Sequence, residues 1–459
     1  MNKKKYHFIA IGGIGMSGLA KYLLENGFEV SGSDISDSKY VEKLRQLGAK
    51  VFIGHDAANL PDDCVVVAST AVKEDNPELK KARALGLPVY HRSDLLAEIS
   101  RSDKCFIGFS GTHGKTTTSG LCSYVLEKGG LAPSFVDGGI VPELNTNAQC
   151  KNGAHFIAEL DESDGTIVKY SPDITVVNNL EADHLDYYKD GLNSVVLTFA
   201  KFLSRLKENA RILLNADDAG VRQLHGRIYG NVYTFAIDSQ ADFVANNINY
   251  GADCTTFDVY YRNQFISEFK IILKGRHNVY NSLAVIAALY LAGVDVAEIK
   301  EHFGTFTGMG RRFQHVGKLE NSVKADIYDD YAHHPTEIKA TLDAAKAFKD
   351  RRVVAVFQPH RFTRLQSLWK DFLGALKADL VVVTDVYSAS EDPIEGVTGE
   401  KFASELGAKY IGGDMKTVAK TLLPLLKDGD VIIGLGAGTI TNLGKELLTL
   451  DKEILKLGN

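Results

Sequence analysis

Ten residues, Phe109-Ser110-Gly111-Thr112-His113-Gly114-Lys115-Thr116-Thr117-Thr118, constrain most strongly what this chain can become. Before them runs Lys104-Cys105-Phe106-Ile107-Gly108, a short apolar strand. After them residues 119–128 read as a helix closed by Gly129 and Gly130. A strand, a glycine turn and a helix opening on Gly-Lys-Thr form a phosphate cradle. The unpaired N–H groups of the first helical turn point at the ligand, and the helix dipole favours negative charge there. Gly111 and Gly114 supply the turn, Lys115 reaches terminal phosphates, and the Thr116 hydroxyl is placed for Mg2+. Phe109 stands where the strict G-x-x-x-x-G-K-[ST] pattern has its first glycine, so the cradle is a shortened variant. Lys115 is expected to be exposed and to contribute little to packing. A chance Gly-Lys-Thr at a helix start is common, but one between an apolar strand and a true helix is not.

A chain of 459 residues has room for about three domains of ~150 residues. With 45% hydrophobic and 24% charged residues it can build full cores, and its net charge of -6 argues against a general nucleic-acid surface. Cys64, Cys105, Cys122, Cys150 and Cys254 form no C-x-x-C pair, a reduced pattern with neither a disulfide frame nor a zinc site. Met1-Asn2-Lys3-Lys4-Lys5 resembles the start of a signal peptide, but the apolar run behind it breaks at Gly12-Gly13. The most apolar later stretch, 282–294, is too short to span a bilayer. The expectation is a soluble cytoplasmic protein with no membrane and no nucleic-acid partner.

Upstream of the cradle, Tyr6-His7-Phe8-Ile9-Ala10-Ile11 reads as a strand, Gly13-Ile14-Gly15-Met16-Ser17-Gly18 matches G-x-G-x-x-G, and a helix runs on through Leu24. The next strand, 28–34, ends in Asp34 at the spacing of a ribose contact. Taken alone, this is the fingerprint of a nicotinamide (NAD) oxidoreductase. The glycines themselves state only that a diphosphate can approach the backbone at a helix N-terminus, and a UDP-linked substrate carries a diphosphate and a ribose just as NAD does. Ser69 and Thr70, at the end of a further strand, add hydroxyls beside the same crevice. A glycine turn without a ligand is the bland alternative. Short strands and helices alternate over 51–101 with turn signals at Pro61, Pro77 and Pro88, and a boundary falls between Ile99 and Asp103.

Downstream, Ala154-His155-Phe156-Ile157-Ala158 is a strand ending in Glu159-Leu160-Asp161-Glu162-Ser163-Asp164-Gly165. Carboxylates at a strand end in the unit of the cradle are placed to hold Mg2+, Glu159 best of all. Asp161, Glu162 and Asp164 serve equally well as a solvated acidic turn. Ile174-Thr175-Val176-Val177 opens into a loop carrying Asp183 and His184. A lone loop histidine is more often a surface residue, but His184 follows a strand end, where ligands gather in parallel sheets. Gly275-Arg276-His277-Asn278 begins an apolar helix running to Leu291, so its polar side chains can face a nucleotide. Gly308-Met309-Gly310-Arg311-Arg312-Phe313 reads as a flexible basic hinge into a last domain. Such a hinge is usually just solvated, whereas an Arg swung onto a triphosphate would stabilise transition-state charge.

From Val323 strand-helix alternation returns. Ile327-Tyr328-Asp329-Asp330 ends a strand, and Tyr331-Ala332-His333-His334-Pro335 starts a helix. Val353-Val354-Ala355-Val356-Phe357 leads into Gln358-Pro359-His360-Arg361-Phe362-Thr363-Arg364. Two arginines three apart past a strand end can grip a carboxylate or phosphate bidentately, surface ion pairing being the alternative.

Taken in order, the two glycine motifs, Glu162-Ser163-Asp164 with Asp183-His184, Gly275-Arg276-His277-Asn278, Asp330-Tyr331-Ala332-His333-His334-Pro335-Thr336-Glu337 and Gln358-Pro359-His360-Arg361-Phe362-Thr363-Arg364 span nearly the whole chain. As a set they resemble the Mur ligase family of peptidoglycan synthesis. The resemblance implies an α/β fold of three domains. A Rossmann-like N-terminal domain over 1–100 binds the UDP substrate. A central P-loop ATPase-type domain with a parallel or mixed sheet covers 101–312, and a C-terminal Rossmann-like domain for the amino acid covers 313–459. It implies an ATP-dependent amide ligase that joins L-alanine to the muramoyl carboxylate of UDP-N-acetylmuramate through an acyl phosphate, as a monomer or homodimer. A recycling ligase that attaches a preformed tripeptide to the same UDP sugar is the alternative within the family.

The resemblance also assigns residues. Gly13, Ile14, Gly15, Met16, Asp34, Ser69 and Thr70 would bind the UDP substrate. Gly111, Thr112, His113, Gly114, Lys115, Thr116, Thr117, His277, Asn278, Arg312 and Asp330 would bind ATP. Of two Mg2+ ions, Thr116 and Glu159 would hold one and His184 the other. Lys115, His333, Arg361 and Arg364 are the implied catalytic residues, the last three lining the alanine and acyl-phosphate site. Two departures stand out. Thr439 occupies the place of an Asp after Gly436-Ala437-Gly438, and Thr198, with Lys201 nearby, occupies the place where sister ligases carry a carbamylated Lys.

The resemblance implies that the first glycine motif takes a UDP sugar and not NAD. UDP-N-acetylmuramate is expected to raise the melting temperature in a concentration-dependent manner, as any ligand of the native state does. A shift with NAD and none with the UDP sugar would reverse this interpretation of Gly13-x-Gly15-x-x-Gly18.

Overall fold

The computed structural model describes residues 4–457 without 70, 71, 186, 252, 347, 349 and 390, so Thr70 lies outside the described residues. Three α/β sheets follow one another along the chain. The first two share one compact unit, Met1–Thr307, and the third forms another, Gly308–Asn459.

The first sheet contains β1 (Lys5–Ile9), β2 (Glu29–Asp34), β3 (Lys50–Ile53), β4 (Val65–Ala68) and β5 (Val89–His91), all parallel, in the order β3-β2-β1-β4-β5. Strand order reverses beside β1, so the glycine turn after β1 and Ser69 after β4 border the crevice where open parallel sheets bind ligands. Pro77, expected in a turn, is instead the first residue of the helix Pro77–Ala84. There the missing N–H costs nothing, and the Asn76 side chain accepts from the Glu78 and Leu79 N–H groups.

The second sheet contains β6 (Cys105–Ser110), β7 (Ser134–Val141), β8 (Thr146–Gln149), β9 (His155–Glu159), β10 (Ile174–Val177), β11 (Arg211–Asn215), β12 (Asn231–Ala236), β13 (Phe243–Tyr250), β14 (Thr255–Tyr261) and β15 (Gln264–Ile271). The order is β15-β14-β13-β12-β11-β10-β6-β9-β7-β8, parallel from β7 to β13 and antiparallel at both margins. Its central strands are apolar on both faces because helices cover both. Register pairs Phe109 with Glu159 and Ser110 with Val177, which brings the cradle, the Glu159 tip and the loop after β10 level with one another.

One apolar cluster joins these two sheets, with Phe8, Leu19, Phe106, Phe156 and Phe199 among its members. The helix Ile14–Glu25 lies against the β7–β8 hairpin. Tyr22 meets Phe156 edge-on at 5.7 Å, and Asn147 Nδ2 donates to the Ile14 carbonyl at 2.7 Å.

The third sheet contains β16 (Gln314–Leu319), β17 (Ala325–Asp330), β18 (Val353–Phe357), β19 (Leu380–Val383), β20 (Lys409–Tyr410) and β21 (Val431–Leu435), in the order β16-β17-β21-β18-β19-β20 with only β16 antiparallel. Period-two alternation divides its core. Ala355 and Phe357 pack with Ile338, Phe372 and Phe402 on one face, while Val354 and Val356 pack with Val418, Leu422 and Leu447 on the other.

The basic segment after Gly308, expected to be flexible, is fixed within this second unit. Arg311 Nε reaches Asp329 at 3.1 Å and its terminal nitrogen donates to the Gly436 carbonyl at 2.8 Å. Arg312 pairs with Glu337 at 3.3 Å. The Phe313 N–H donates to Asp330 at 2.8 Å, and its ring packs on Tyr328 and Phe348. Guanidinium groups next to a buried sheet must take carboxylate partners, and these immobilise the chain. Among the described residues no helix is long and apolar enough to cross a membrane.

Gly111 leaves β6 at φ +127°, and a Cβ there would lie 2.9 Å from the Asn179 carbonyl oxygen. Both strain and crowding oppose a side chain. Gly111→Ala is expected to destabilise the protein by ~1–3 kcal/mol, measured as a lower denaturant midpoint at unchanged slope. Unaltered stability would mean that the turn relaxes without penalty.

Candidate active site

The cradle turn is built jointly by β6 and the loop after β10. The Thr112 N–H donates to the Asn179 carbonyl at 3.0 Å. The Asn179 side-chain amide accepts from the His113 N–H at 2.7 Å and donates to the His113 carbonyl at 3.0 Å. The Glu181 N–H donates to Thr112 Oγ1 at 2.9 Å, and the His113 ring stands 3.5 Å from the Glu181 carboxylate. Gly114, at φ +82°, caps the helix Lys115–Lys128, and a Cβ on it would meet Asn281 Oδ1 at 2.7 Å. The helix Arg276–Leu291 therefore begins beside the cradle, with the Asn278 side chain held by Lys274 O and Asn281.

Lys115, expected to be exposed, is largely buried. Its Nζ donates to the carbonyls of Gly111 (2.7 Å) and Thr112 (3.0 Å) and pairs with Glu162 at 2.9 Å. Burial opposes its charge, but Glu162, Asp161 and Glu159 outweigh that and hold its pKa above the ordinary lysine value. Asp161 is partly buried. Against the cost of burial, the paired guanidinium of Arg92, and then Lys115, hold its carboxyl well below the usual range. Of the acidic turn, then, Asp161 is the ion-pair partner of Arg92 and Glu162 that of Lys115.

Glu159 accepts one backbone N–H, from Gly138 at 3.1 Å. Asp137 is almost wholly buried near Ser119 and Ser123, and burial, with Glu159 adding to it, pushes its carboxyl up to about 8. His184 takes φ +51°, its N–H donates to Asp183 at 2.7 Å and its ring stands 3.7 Å from the same carboxylate. The oxygen donors Thr116 and Glu159 suit a hard cation such as Mg2+, and the imidazole of His184 suits it less well.

In the first sheet, Asp34 closes the glycine turn. Its carboxylate accepts from the Gly12 N–H at 2.8 Å and the Ser36 N–H at 3.1 Å. Met16 is buried in the core, so only its backbone is available to a ligand alongside Gly13, Ile14 and Gly15. The Arg92 guanidinium borders the same turn, 3.6 Å from where a Cβ on Gly15 would stand.

The second unit gathers the remaining predicted residues. Glu337 links Arg312 (3.3 Å) to His333 (3.3 Å), and His360 neighbours both His333 (rings 5.7 Å apart) and Arg364 (3.5 Å). Burial drives His333 down to about 3, and burial with Arg364 and Arg361 drives His360 down to about 4, so both rings are neutral at physiological pH. Asp330 accepts from the Phe313 and Ala332 N–H groups, and burial pushes its carboxyl up to about 6. Arg361, at φ +71°, pairs with Glu391 at 2.8 Å. Thr439 Oγ1 accepts from Gln358 at 2.9 Å, so its hydroxyl ties the loops after β18 and β21 together.

Within Met1–Thr307 the structure thus assembles the cradle from Gly111 to Thr117 with Glu162 and Asn179. Within Gly308–Asn459 it assembles Asp330, Arg312, His333 and Arg364. Sequence reasoning missed Arg92, Asn179, Glu337 and Glu391, and it left Glu162 undecided. Only the Asn178-Asn179 pair, polar directly after an apolar strand, offered a signal.

A P-loop-like cradle on a mixed sheet, in a chain with parallel α/β sheets before and after it, defines a nucleotide-phosphate enzyme of three α/β domains. The Mur ligase family, catalytic domain, matches residues 5–104, the Mur ligase middle domain residues 109–289, and the Mur ligase, glutamate ligase domain residues 311–438. The UDP-N-acetylmuramate–L-alanine ligase of Pelobacter propionicus is 42% identical over 97% of this chain and 98% of its own. The crystal structure of the UDP-N-acetylmuramate-alanine ligase of Thermotoga maritima superposes with a TM-score of 0.81 at 30% identity, covering 98% of this chain and 99% of that one. A murein peptide ligase of Psychrobacter arcticus shares the fold (TM-score 0.74, 23% identity, 98% of each chain). The chain belongs to the Mur ligase family.

Because His333 stays neutral in the fold, it takes up no proton as the pH falls from 6.5 towards 3, while the unfolded chain does. Its contribution to stability is therefore lost in that window. Between pH 6.5 and pH 5 the loss amounts to ~2 kcal/mol. Urea unfolding at pH 7 and pH 5 is expected to show a smaller pH effect in His333→Asn than in the native sequence. Equal pH effects would mean that the ring charges freely.

Proposed function

We propose that this protein is an ATP-dependent ligase that joins L-alanine to the muramoyl carboxylate of UDP-N-acetylmuramate, releasing ADP and phosphate. The observation that carries the reading is the Gly111–Thr117 cradle with a firmly charged Lys115, in a chain 42% identical over nearly its full length to an L-alanine ligase. Residues 1–100 hold the UDP sugar, with the N–H groups of Gly13, Ile14, Gly15 and Met16 on its diphosphate and Ser69 beside it. Residues 101–312 hold ATP, and 313–459 the amino acid. Lys115 takes the terminal phosphates, and His277 and Asn278 stand at the nucleotide end of their helix. Thr116 and Glu159 would hold Mg2+, with His184 at a second ion. The metal supplies charge neutralisation on the phosphates.

Transfer of phosphate to the muramoyl carboxylate gives an acyl phosphate, and attack by the alanine amine expels phosphate. Both steps depend on positioning and charge stabilisation. Arg361 and Arg364 serve the alanine carboxylate and the acyl-phosphate oxygens through planar, forked contacts. His333 and His360, being neutral, act as hydrogen-bonding groups and not as cations. Arg312 and Asp330 are further nucleotide-binding residues in this reading. We take the compartment to be the cytoplasm and the working form to be a monomer or homodimer.

The tripeptide-attaching alternative is less well supported, since the tripeptide ligase of Neisseria meningitides matches at 32% identity over 67% of this chain, against 42% over 97% for the alanine ligase. An oxidoreductase leaves Lys115 and the second sheet without a task. Phosphate release from ATP with UDP-N-acetylmuramate, scanned over L-alanine, glycine, L-serine and the tripeptide, is expected to respond to L-alanine and not to the tripeptide. The reverse pattern would assign the protein to recycling.

A further inference from the structure

An ammonium group has three protons to donate, and the fold engages all three on Lys115: the Gly111 carbonyl at 2.7 Å, the Thr112 carbonyl at 3.0 Å, and the Glu162 carboxylate at 2.9 and 3.1 Å. A phosphate arriving at the cradle must take the place of one of them. The carbonyls belong to the turn that defines the cradle, whose backbone is held by Asn179. Glu162 is the remaining partner, and its two oxygens present the same paired, negative edge that a phosphate presents.

The segment carrying Glu162 is itself rigid. Its carbonyl accepts from Tyr188 Oη at 2.5 Å and from the Gly165 N–H at 2.8 Å. The adjacent Asp161 is paired with Arg92 and accepts from the Ser163 N–H at 3.0 Å. Glu162 reaches Nζ through its side chain, whose torsions can change without moving that backbone. Asp161 and Glu159 also act on Lys115, so the ammonium keeps negative neighbours when Glu162 is neutralised.

We propose that Glu162 is a placeholder for nucleotide phosphate on Lys115: its carboxylate holds Nζ in place and competes with the incoming phosphate, so that Glu162 is a positioning residue that sets nucleotide affinity. The inference rests on the reading of the cradle as an ATP site. The competition keeps the affinity below what the cradle alone provides, which favours exchange of ADP for ATP at each turnover. Arg92 and Asp161, by fixing the backbone on which Glu162 stands, position it in turn.

The test is calorimetric titration of the full-length protein with the β,γ-imido analogue of ATP and Mg2+. Glu162→Gln, which keeps shape and removes charge, is expected to bind the analogue about tenfold more tightly, equivalent to ~1.4 kcal/mol. Glu162→Asp, one methylene too short to reach Nζ, is expected to shift in the same direction and stands in if the Gln variant fails to fold. A glutamate with a merely structural role would weaken binding when replaced. Lys115→Ala is the control arm and is expected to lose at least tenfold. If it does, and Glu162→Gln binds no tighter than the native protein, the placeholder is overturned while the ATP reading stands. If Lys115→Ala binds as well as the native protein, the ATP reading of the cradle falls first.

Discussion

The arrangement at the cradle depends on the parallel ladder that holds β6 between β9 and β10. Ladder register leaves no freedom in where the strands end: Phe109 opposite Glu159, Ser110 opposite Val177. Gly108 then permits a second step. A Cβ there would lie 2.5 Å from Leu160 Cδ1, so only a glycine lets Leu160 fold over β6, and the Leu160 N–H donates to the Phe109 carbonyl at 2.8 Å. That fold-back carries Asp161 and Glu162 off the end of β9 to Lys115, a contact that spans 47 residues of chain. Charge placement at the cradle is thus a consequence of backbone pairing and of one missing methyl group, before any ligand is considered.

Much of this was legible in the sequence. Period-two and unbroken apolar runs marked the principal strands, and glycines at strand-to-helix junctions marked both ligand turns, because those signals are local. The partners of the charged residues were not legible. Arg92 and Asp161 lie 69 positions apart and meet only because the first two sheets share one apolar cluster. Glu162 looked like one of three interchangeable acids, yet it alone stands opposite Nζ. Pro77 was taken for a turn because a proline at the first helical position and one in a turn look alike until the cap formed by Asn76 is seen. The basic hinge failed for the same reason as Glu162: Arg311 and Arg312 have no local signal for Asp329 and Glu337, both supplied by later elements.

A single rule accounts for the buried charges. Desolvating an ammonium or guanidinium is expensive unless a carboxylate is buried with it. Each unit follows the rule at its site: Lys115 with Glu162 and Arg92 with Asp161 in the first, Arg312 with Glu337 and Arg311 with Asp329 in the second. The histidines obey its complement. His333, even with Glu337 at 3.3 Å, and His360, beside Arg364, are held neutral because burial outweighs the nearby carboxylates. The ammonium and guanidinium groups are thereby kept in place and charged, while the imidazoles add hydrogen-bonding capacity without further repulsion.

The acid after the first glycine motif illustrates how a fingerprint overstates its meaning. Asp34 sits where a nicotinamide enzyme places its ribose-binding carboxylate, but in this fold one oxygen accepts the Gly12 N–H of the glycine turn and the other the Ser36 N–H of its own loop. Gly12 is required for that contact, since a Cβ there would lie 2.9 Å from Asp34 Oδ2. The carboxylate therefore shapes the turn, and the turn presents N–H groups to a diphosphate whatever nucleoside is attached. G-x-G-x-x-G followed by an acid specifies a diphosphate-binding geometry; the identity of the nucleoside has to be decided by other residues. It is the second, shorter cradle, with its buried lysine, that separates a ligase from an oxidoreductase.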